Sequence, residues 1–177
     1  LPKLTDFRDG AADKLEVRPV AIEDLLGRPQ AVLDRSAMES LIKGQRVLIT
    51  GAGGSIGSEL SRQVSDFGPA MLVLLDHSEF GLYSIDMEMA ERAPALARHA
   101  CLADVRERRR IARIFAEYKP QLVFHAAALK HVPMVEANLF EGVMTNAAGT
   151  LNIADACIEA GVACMVLIST DKAVNPT

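Results

Sequence analysis

Residues 46–61 read RVLITGAGGSIGSELS, and the reading of the whole chain starts there. Arg46-Val47-Leu48-Ile49-Thr50 is a short apolar, β-branched run, the pattern of a parallel strand buried on both faces. Gly51, Gly54 and Gly57 follow at regular spacing, and a helical pattern opens at Ser55. Such a strand–turn–helix brings a helix N-terminus up to the end of the strand. Free N–H groups and the positive end of the helix dipole can hold a pyrophosphate there. The glycines have separate tasks in that arrangement. Gly51 makes the tight turn, Gly54 lets the backbone approach the phosphate, and Gly57 lets helix and strand pack closely. Ser55 and Ile56 complete the first turn and stand with the glycines as candidate cofactor contacts.

Outward from this unit the alternation is regular. Strands are expected at Met71–Asp76, near Ala100-Cys101-Leu102, at Gln121–Ala126 and at Cys164–Ser169. Helices are expected between them, over about residues 55–67, 80–92, 106–118 and 141–160. Right-handed βαβ units of this length imply an α/β fold, a Rossmann-type doubly wound parallel sheet of strand order 3-2-1-4-5. Residues 1–45 do not share this rhythm. They read as an N-terminal arm packing on the domain, with short helices at Ile22–Gly27 and Ala37–Lys43, and residues 46–177 read as the Rossmann domain.

The chain has 177 residues, half of them hydrophobic, which suits one globular domain and excludes disorder. A net charge of −4 gives no electrostatic reason to expect a nucleic-acid partner. The basic run at 106–113, RERRRIAR, reads as the solvated face of a helix with Ile111, Ile114 and Phe115 turned inward. No apolar run approaches the ~20 residues of a membrane span. Cys101, Cys157 and Cys164 lack metal-ligand spacing and read as reduced thiols, so no metal site is expected. Leu1-Pro2-Lys3-Leu4 has neither an initiating Met nor a signal-peptide pattern, so the chain reads as an excised piece of something longer.

Four further positions carry chemistry. Asp76 ends the second strand, where a carboxylate can accept from both hydroxyls of an adenosine ribose. It would repel a 2′-phosphate, which favours NAD over NADP, and His77 stands where an NADP enzyme more often offers Arg. Asp76 could instead cap the helix that follows. Asp104-Val105 follows strand three, where a carboxylate beside the adenine can accept from an exocyclic amine or can cap the next helix. After strand four, Ala126, Ala127 and Ala128 are small enough for a flat cofactor to lie against the backbone, and Lys130 and His131 stand on a loop over the cleft or on an ordinary surface loop. Strand five ends in Ser169-Thr170-Asp171-Lys172. A hydroxyl, a carboxylate and an amine together there can act as donor, general acid and general base, or form a surface ion pair.

TGAGGSIGSEL at 50–60, LLDHSEFGLY at 74–83, HAAALKHVPMVE at 125–136, TNAAGTLN at 145–152 and STDKAVNP at 169–176 resemble the extended short-chain dehydrogenase/reductase superfamily. Within it they resemble the nucleotide-sugar 4,6-dehydratases of bacterial capsule, lipopolysaccharide and flagellin-glycan pathways. VRPVAIEDLLGR at 17–28 resembles the arm preceding the catalytic domain of the large, membrane-anchored members. The resemblance implies NAD as cofactor and a UDP-N-acetylhexosamine as substrate. Hydride leaves C4, the C5 proton is lost, water leaves across C5–C6, and hydride returns at C6. It implies that Thr170 bonds near O4, that Asp171 protonates the departing 6-hydroxyl and that Lys172 takes the C5 proton. It assigns Lys130 and His131 to the loop over substrate and nicotinamide, and gives Asn146 a mainly structural part.

A cytoplasmic enzyme, at the inner-membrane face if the full-length protein is anchored, and a homo-oligomer when complete are further implications. The superfamily's Tyr-x-x-x-Lys helix, a sixth strand and the substrate-binding part would follow Asn175-Pro176. The expectation is therefore a domain truncated at its C-terminus and catalytically silent alone. A nucleotide-sugar 4-epimerase shares the fold and the C4 oxidation but needs no acid/base pair at C5 and C6. A non-catalytic NAD-binding regulatory module is the alternative outside enzymes.

Overall fold

The computed structural model describes residues 34–169. Five strands form one parallel sheet: β1 (Arg46–Thr50), β2 (Met71–Asp76), β3 (Arg98–Leu102), β4 (Leu122–His125) and β5 (Cys164–Leu167). Their order is β3-β2-β1-β4-β5, as expected from the alternation. Thr50 stands opposite Leu75 of β2 on one side and His125 of β4 on the other, so three strands end level. The chain moves outward from β1 in both directions. The crevice of a doubly wound sheet therefore opens beyond the ends of β1 and β4.

The continuous apolar runs are explained by cover on both faces. Val47, Ile49, Leu72, Leu74, Leu122 and Phe124 pack with Val64 of helix α2 (Ser55–Asp66) and with Leu82, Ile85 and Met89 of α3 (Glu79–Arg92). Leu48, Val73, Leu75 and Val123 face the other way. They meet Ile111, Ile114 and Phe115 of α4 (Arg108–Tyr118) and Ile153, Ala156 and Cys157 of α7 (Thr150–Ala160). Ile42, from helix α1 (Arg35–Ile42), is buried in the first of these clusters, so α1 belongs to the sheet's own core. The rest of the expected arm, residues 1–33, lies outside the described residues, as do Thr170, Asp171 and Lys172.

Stop signals behave as their chemistry requires. Lys119 takes a left-handed conformation at the end of α4, directly before Pro120. Gly161 does the same after α7, and Val162 N–H closes the helix on the Cys157 carbonyl. Two features depart from the sequence expectation. Leu129–Pro133, read as loop, runs into a short helix α5 (Val132–Ala137) with Pro133 in its first turn, where a missing N–H costs nothing. The single helix expected over 141–160 is interrupted. Helix α6 (Leu139–Val143) passes into a π-helical turn (Met144–Gly149) and only then into α7. At the end of that turn Gly149 lies against Val105, and a Cβ there would stand 2.7 Å from Val105 Cγ2.

The edges also differ from the centre. β3 begins two residues earlier than its apolar core suggests, because Arg98 and His99 pair with Leu72 and Val73 although their side chains are not buried. β5 is the other edge, and Leu167 is half exposed. Among the described residues no helix is long and apolar enough to cross a membrane.

Candidate functional site

The glycine turn is built as the spacing predicts. Gly51 has φ +67°, and a Cβ there would stand 2.8 Å from the Ala126 carbonyl. Gly57 is buried under the turn, and a Cβ on it would lie 2.0 Å from the Gly51 carbonyl oxygen. Its task is thus packing of helix on strand. Gly54 is different. It is exposed at the N-terminus of α2, and a Cβ there would meet only the Gly51 oxygen, at 3.2 Å. Gly54 has no side chain with which to cap α2, and among the described residues no side chain accepts from the N–H groups of its first turn. Ser55 and Ile56 sit on that turn with exposed side chains and form no part of the cavity wall.

Beyond the strand ends lies a cavity of about 680 Å³. Gly51 and Gly54 form part of its wall, and Asp76 with His77 another part. Asp104 and Val105 line it from β3, Ala126, Ala127 and Ala128 from β4, and Lys130 with His131 from the segment before α5. Residues separated widely in sequence meet here because every one stands at or just after the C-terminal end of a strand.

Asp76 is 6% exposed, and each of its oxygens accepts one backbone N–H. Its Oδ2 accepts Gly53 N–H at 2.8 Å and its Oδ1 accepts Ser78 N–H at 2.8 Å. The cap of α3 is Ser78, whose Oγ accepts Gly81 N–H at 3.2 Å, so Asp76 is not the helix cap. His77 Nδ1 stands 3.4 Å from Asp76 Oδ1. Asp104 is not a helix cap either, since α4 begins at Arg108. Its Oδ1 accepts Arg106 N–H at 2.9 Å, and its Oδ2 accepts Arg106 Nε at 2.8 Å and Nη2 at 2.6 Å. The guanidinium holds the Asp104 carboxyl below the usual carboxylate range.

Arg106 is therefore not on the solvated helical face where the basic run put it. It lies before α4, on the cavity wall, and its Nη1 also pairs with Glu141 of α6. An Asp-x-Arg pair just after a strand was the available signal. Thr145, Asn138 and Glu141 likewise line the cavity from elements the sequence did not resolve.

Behind Lys130, Asn146 holds the chain at Leu129 from both sides. Asn146 Oδ1 accepts Leu129 N–H at 2.8 Å, and Nδ2 donates to the Leu129 carbonyl at 2.9 Å. On the wall that carries Asp104, Asn152 Nδ2 donates to the carbonyls of Val105 at 3.0 Å and Arg106 at 3.1 Å. His125 is 1% exposed, between Thr50 and Thr150, and burial pushes its pKa down to about 4.

A sequence model described as polysaccharide biosynthesis protein matches residues 47–177. The chain belongs to the polysaccharide biosynthesis protein family. It is 44% identical over 177 residues to the probable polysaccharide biosynthesis protein EpsC of Bacillus subtilis, covering 99% of this chain and 30% of that protein. It is 42% identical over 178 residues to the capsular polysaccharide biosynthesis protein CapD of Staphylococcus aureus, again covering 30% of it. Over 133 residues it is 35% identical to a UDP-N-acetylglucosamine 4,6-dehydratase (inverting) of Campylobacter jejuni, covering 75% of this chain and 38% of the relative.

Among solved structures, Pen from Bacillus thuringiensis aligns with a TM-score of 0.69 at 32% identity, over 77% of this chain and 41% of that one. A UDP-glucose 4-epimerase from Stenotrophomonas maltophila, solved with bound NAD, aligns with a TM-score of 0.64 at 27% identity, over 72% and 38%. The chain thus spans under half the length of each relative. For a member of the polysaccharide biosynthesis protein family, the segment in hand carries the sheet and the crevice at its strand ends.

Proposed function

We propose that this chain is the NAD-binding part of a nucleotide-sugar 4,6-dehydratase that acts on a UDP-N-acetylhexosamine in bacterial surface-glycan synthesis. The observation that carries the reading is the order Ser169-Thr170-Asp171-Lys172, which begins two residues after the end of β5 in the sequence. An elimination across C5–C6 needs an acid for the leaving 6-hydroxyl and a base for the C5 proton. Asp171 and Lys172 supply one of each, and Thr170 offers a hydroxyl for O4.

The cleft suits a dinucleotide on its own geometry. The first turn of α2 is uncapped, Gly54 leaves room for close approach, and the Asp76 carboxylate stands on the wall. Pyrophosphate at α2 and ribose at Asp76 put the adenine toward Asp104 and Val105. They put the nicotinamide toward the alanines after β4 and the Lys130–His131 loop. NAD bound there would supply the hydride acceptor at C4 and the donor at C6. The protein residues would orient the sugar, move its protons and keep the reacting carbons beside the cofactor.

An epimerase reading draws on the likeness to the Stenotrophomonas maltophila enzyme. Product analysis separates the two. In the full-length protein, UDP-N-acetylglucosamine should yield a 4-keto-6-deoxy product. Lys172→Ala and Asp171→Asn should each abolish it while leaving NAD binding nearly intact. A C4 epimer with no keto product would establish the epimerase reading instead.

A further inference from the structure

The π-helical turn at Met144–Gly149 makes two sets of polar contacts outside its own helix, one from Thr150 just after it and one from Asn146 within it. The first set involves His125. Thr50 Oγ1 lies 2.6 Å from His125 Nδ1, and Thr150 Oγ1 lies 3.0 Å from Nε2. The Thr150 hydroxyl has one proton, and it donates that proton to the Asn146 carbonyl at 2.7 Å. Toward the imidazole it can only accept, so Nε2 carries the ring proton and Nδ1 accepts from Thr50. The chain of donors thus runs one way, from Thr50 to His125, to Thr150, to the Asn146 carbonyl. The Asn146 side chain then takes both backbone groups of Leu129. Leu129 directly precedes Lys130 and His131 on the cavity wall.

A π turn is rarely adopted on propensity alone and needs outside support. Here the support comes from one buried imidazole and one amide. We propose that His125 is a positioning residue: through Thr150 it holds the π turn, and through Asn146 that turn holds the Leu129–His131 loop against the cleft. His125 itself touches neither cofactor nor substrate. The consequence for turnover rests on the proposed reading of the reaction; the coupling between His125 and Leu129 does not.

The experiment uses the full-length protein and amide hydrogen exchange, with peptides spanning 127–136 as the reporter and peptides spanning β2 as the internal control. Thr150→Val removes both the acceptor of Nε2–H and the donor to the Asn146 carbonyl at nearly constant volume. It should speed exchange at Leu129 at least about tenfold, the worth of one of these hydrogen bonds, and leave β2 unchanged. Thr150→Ser should restore protection. Thr50→Val, which leaves Nε2–H paired with Thr150, should not speed exchange at Leu129. Should Thr150→Val not fold, Thr150→Ala takes its place.

Unchanged exchange at Leu129, failure of the Ser variant to restore it, equal effects from Thr50→Val, or acceleration in β2 as well would each overturn the proposal. With UDP-N-acetylglucosamine as probe, Thr150→Val should lower kcat about tenfold. A wild-type protein with no turnover would sink the reaction assigned above and leave the exchange measurement to decide this inference.

Discussion

The Asp76 carboxylate accepts the backbone N–H of Gly53 at 2.8 Å, which ties the end of β2 to the glycine turn. Its second oxygen holds Ser78 N–H, so one side chain joins β2, the turn and the start of α3. Asp76→Ala should therefore cost stability, on the order of 1–3 kcal/mol for two donors left without their acceptor. Asp76→Asn keeps an acceptor oxygen and should cost less. The wild-type protein should prefer NAD over NADP ten- to a hundredfold, about 1–3 kcal/mol. The Asn variant should narrow that gap. Titration of both cofactors against wild type and Asp76→Asn checks it, and equal wild-type affinities would remove Asp76 from the ribose.

Gly54→Ala and Gly57→Ala should fail in different ways. A methyl at Gly57 would meet the Gly51 oxygen at 2.0 Å, so helix and strand must separate, at about 1–3 kcal/mol or more. A methyl at Gly54 meets only one atom, at 3.2 Å, in a backbone conformation open to Ala. Thermal unfolding should thus fall for Gly57→Ala and stay near wild type for Gly54→Ala. NAD affinity should fall in Gly54→Ala regardless.

His125 gives the fold a pH dependence of defined sign. Burial lowers its pKa to about 4 in the folded state, against about 6.5 for an unfolded histidine. Between those values the unfolded chain binds the extra proton, so stability falls as pH drops from about 6.5 toward 4 and flattens below. The full effect is roughly 3 kcal/mol. Denaturant titrations at pH 7, 5.5 and 4.5 should show this slope in wild type. The slope should be shallower in His125→Gln, whose side chain does not titrate.

The Arg106–Glu141 pair spans the cavity wall between the segment after β3 and α6, with both partners partly exposed. Glu141→Gln should cost less than about 1 kcal/mol, because water and ions screen such pairs. The difference from wild type should disappear in urea titrations at about 1 M salt.

The parts of the fold that were legible in the sequence are those set by local pattern. β1 and β2 have the boundaries their apolar runs predict, because a strand covered on both faces is buried along all but its first residue. β3 was understated because an edge strand keeps its pairing without burying all its side chains. The glycine turn could be read residue by residue, since Gly51 answers to its own positive φ and Gly57 to the Gly51 carbonyl six residues before it. The wall positions Asp76, Asp104, Ala126–Ala128, Lys130 and His131 followed from topology, because a doubly wound sheet brings its strand ends to one crevice.

The tertiary structure decided what each of those groups is bound to. Asp76 and Asp104 looked alike as carboxylates after strands, yet one holds backbone N–H groups and the other a guanidinium. Arg106 reads with its neighbours as part of a basic run, and the start of α4 places it before the helix. The π turn was invisible, since no side-chain period marks it. Its polar partners, His125 at the end of β4 and Leu129 on the loop after it, come from a segment outside the helix. Local pattern specifies which residues lie in a strand or a helix. Which polar partner satisfies which buried donor depends on elements that meet only once the sheet has formed.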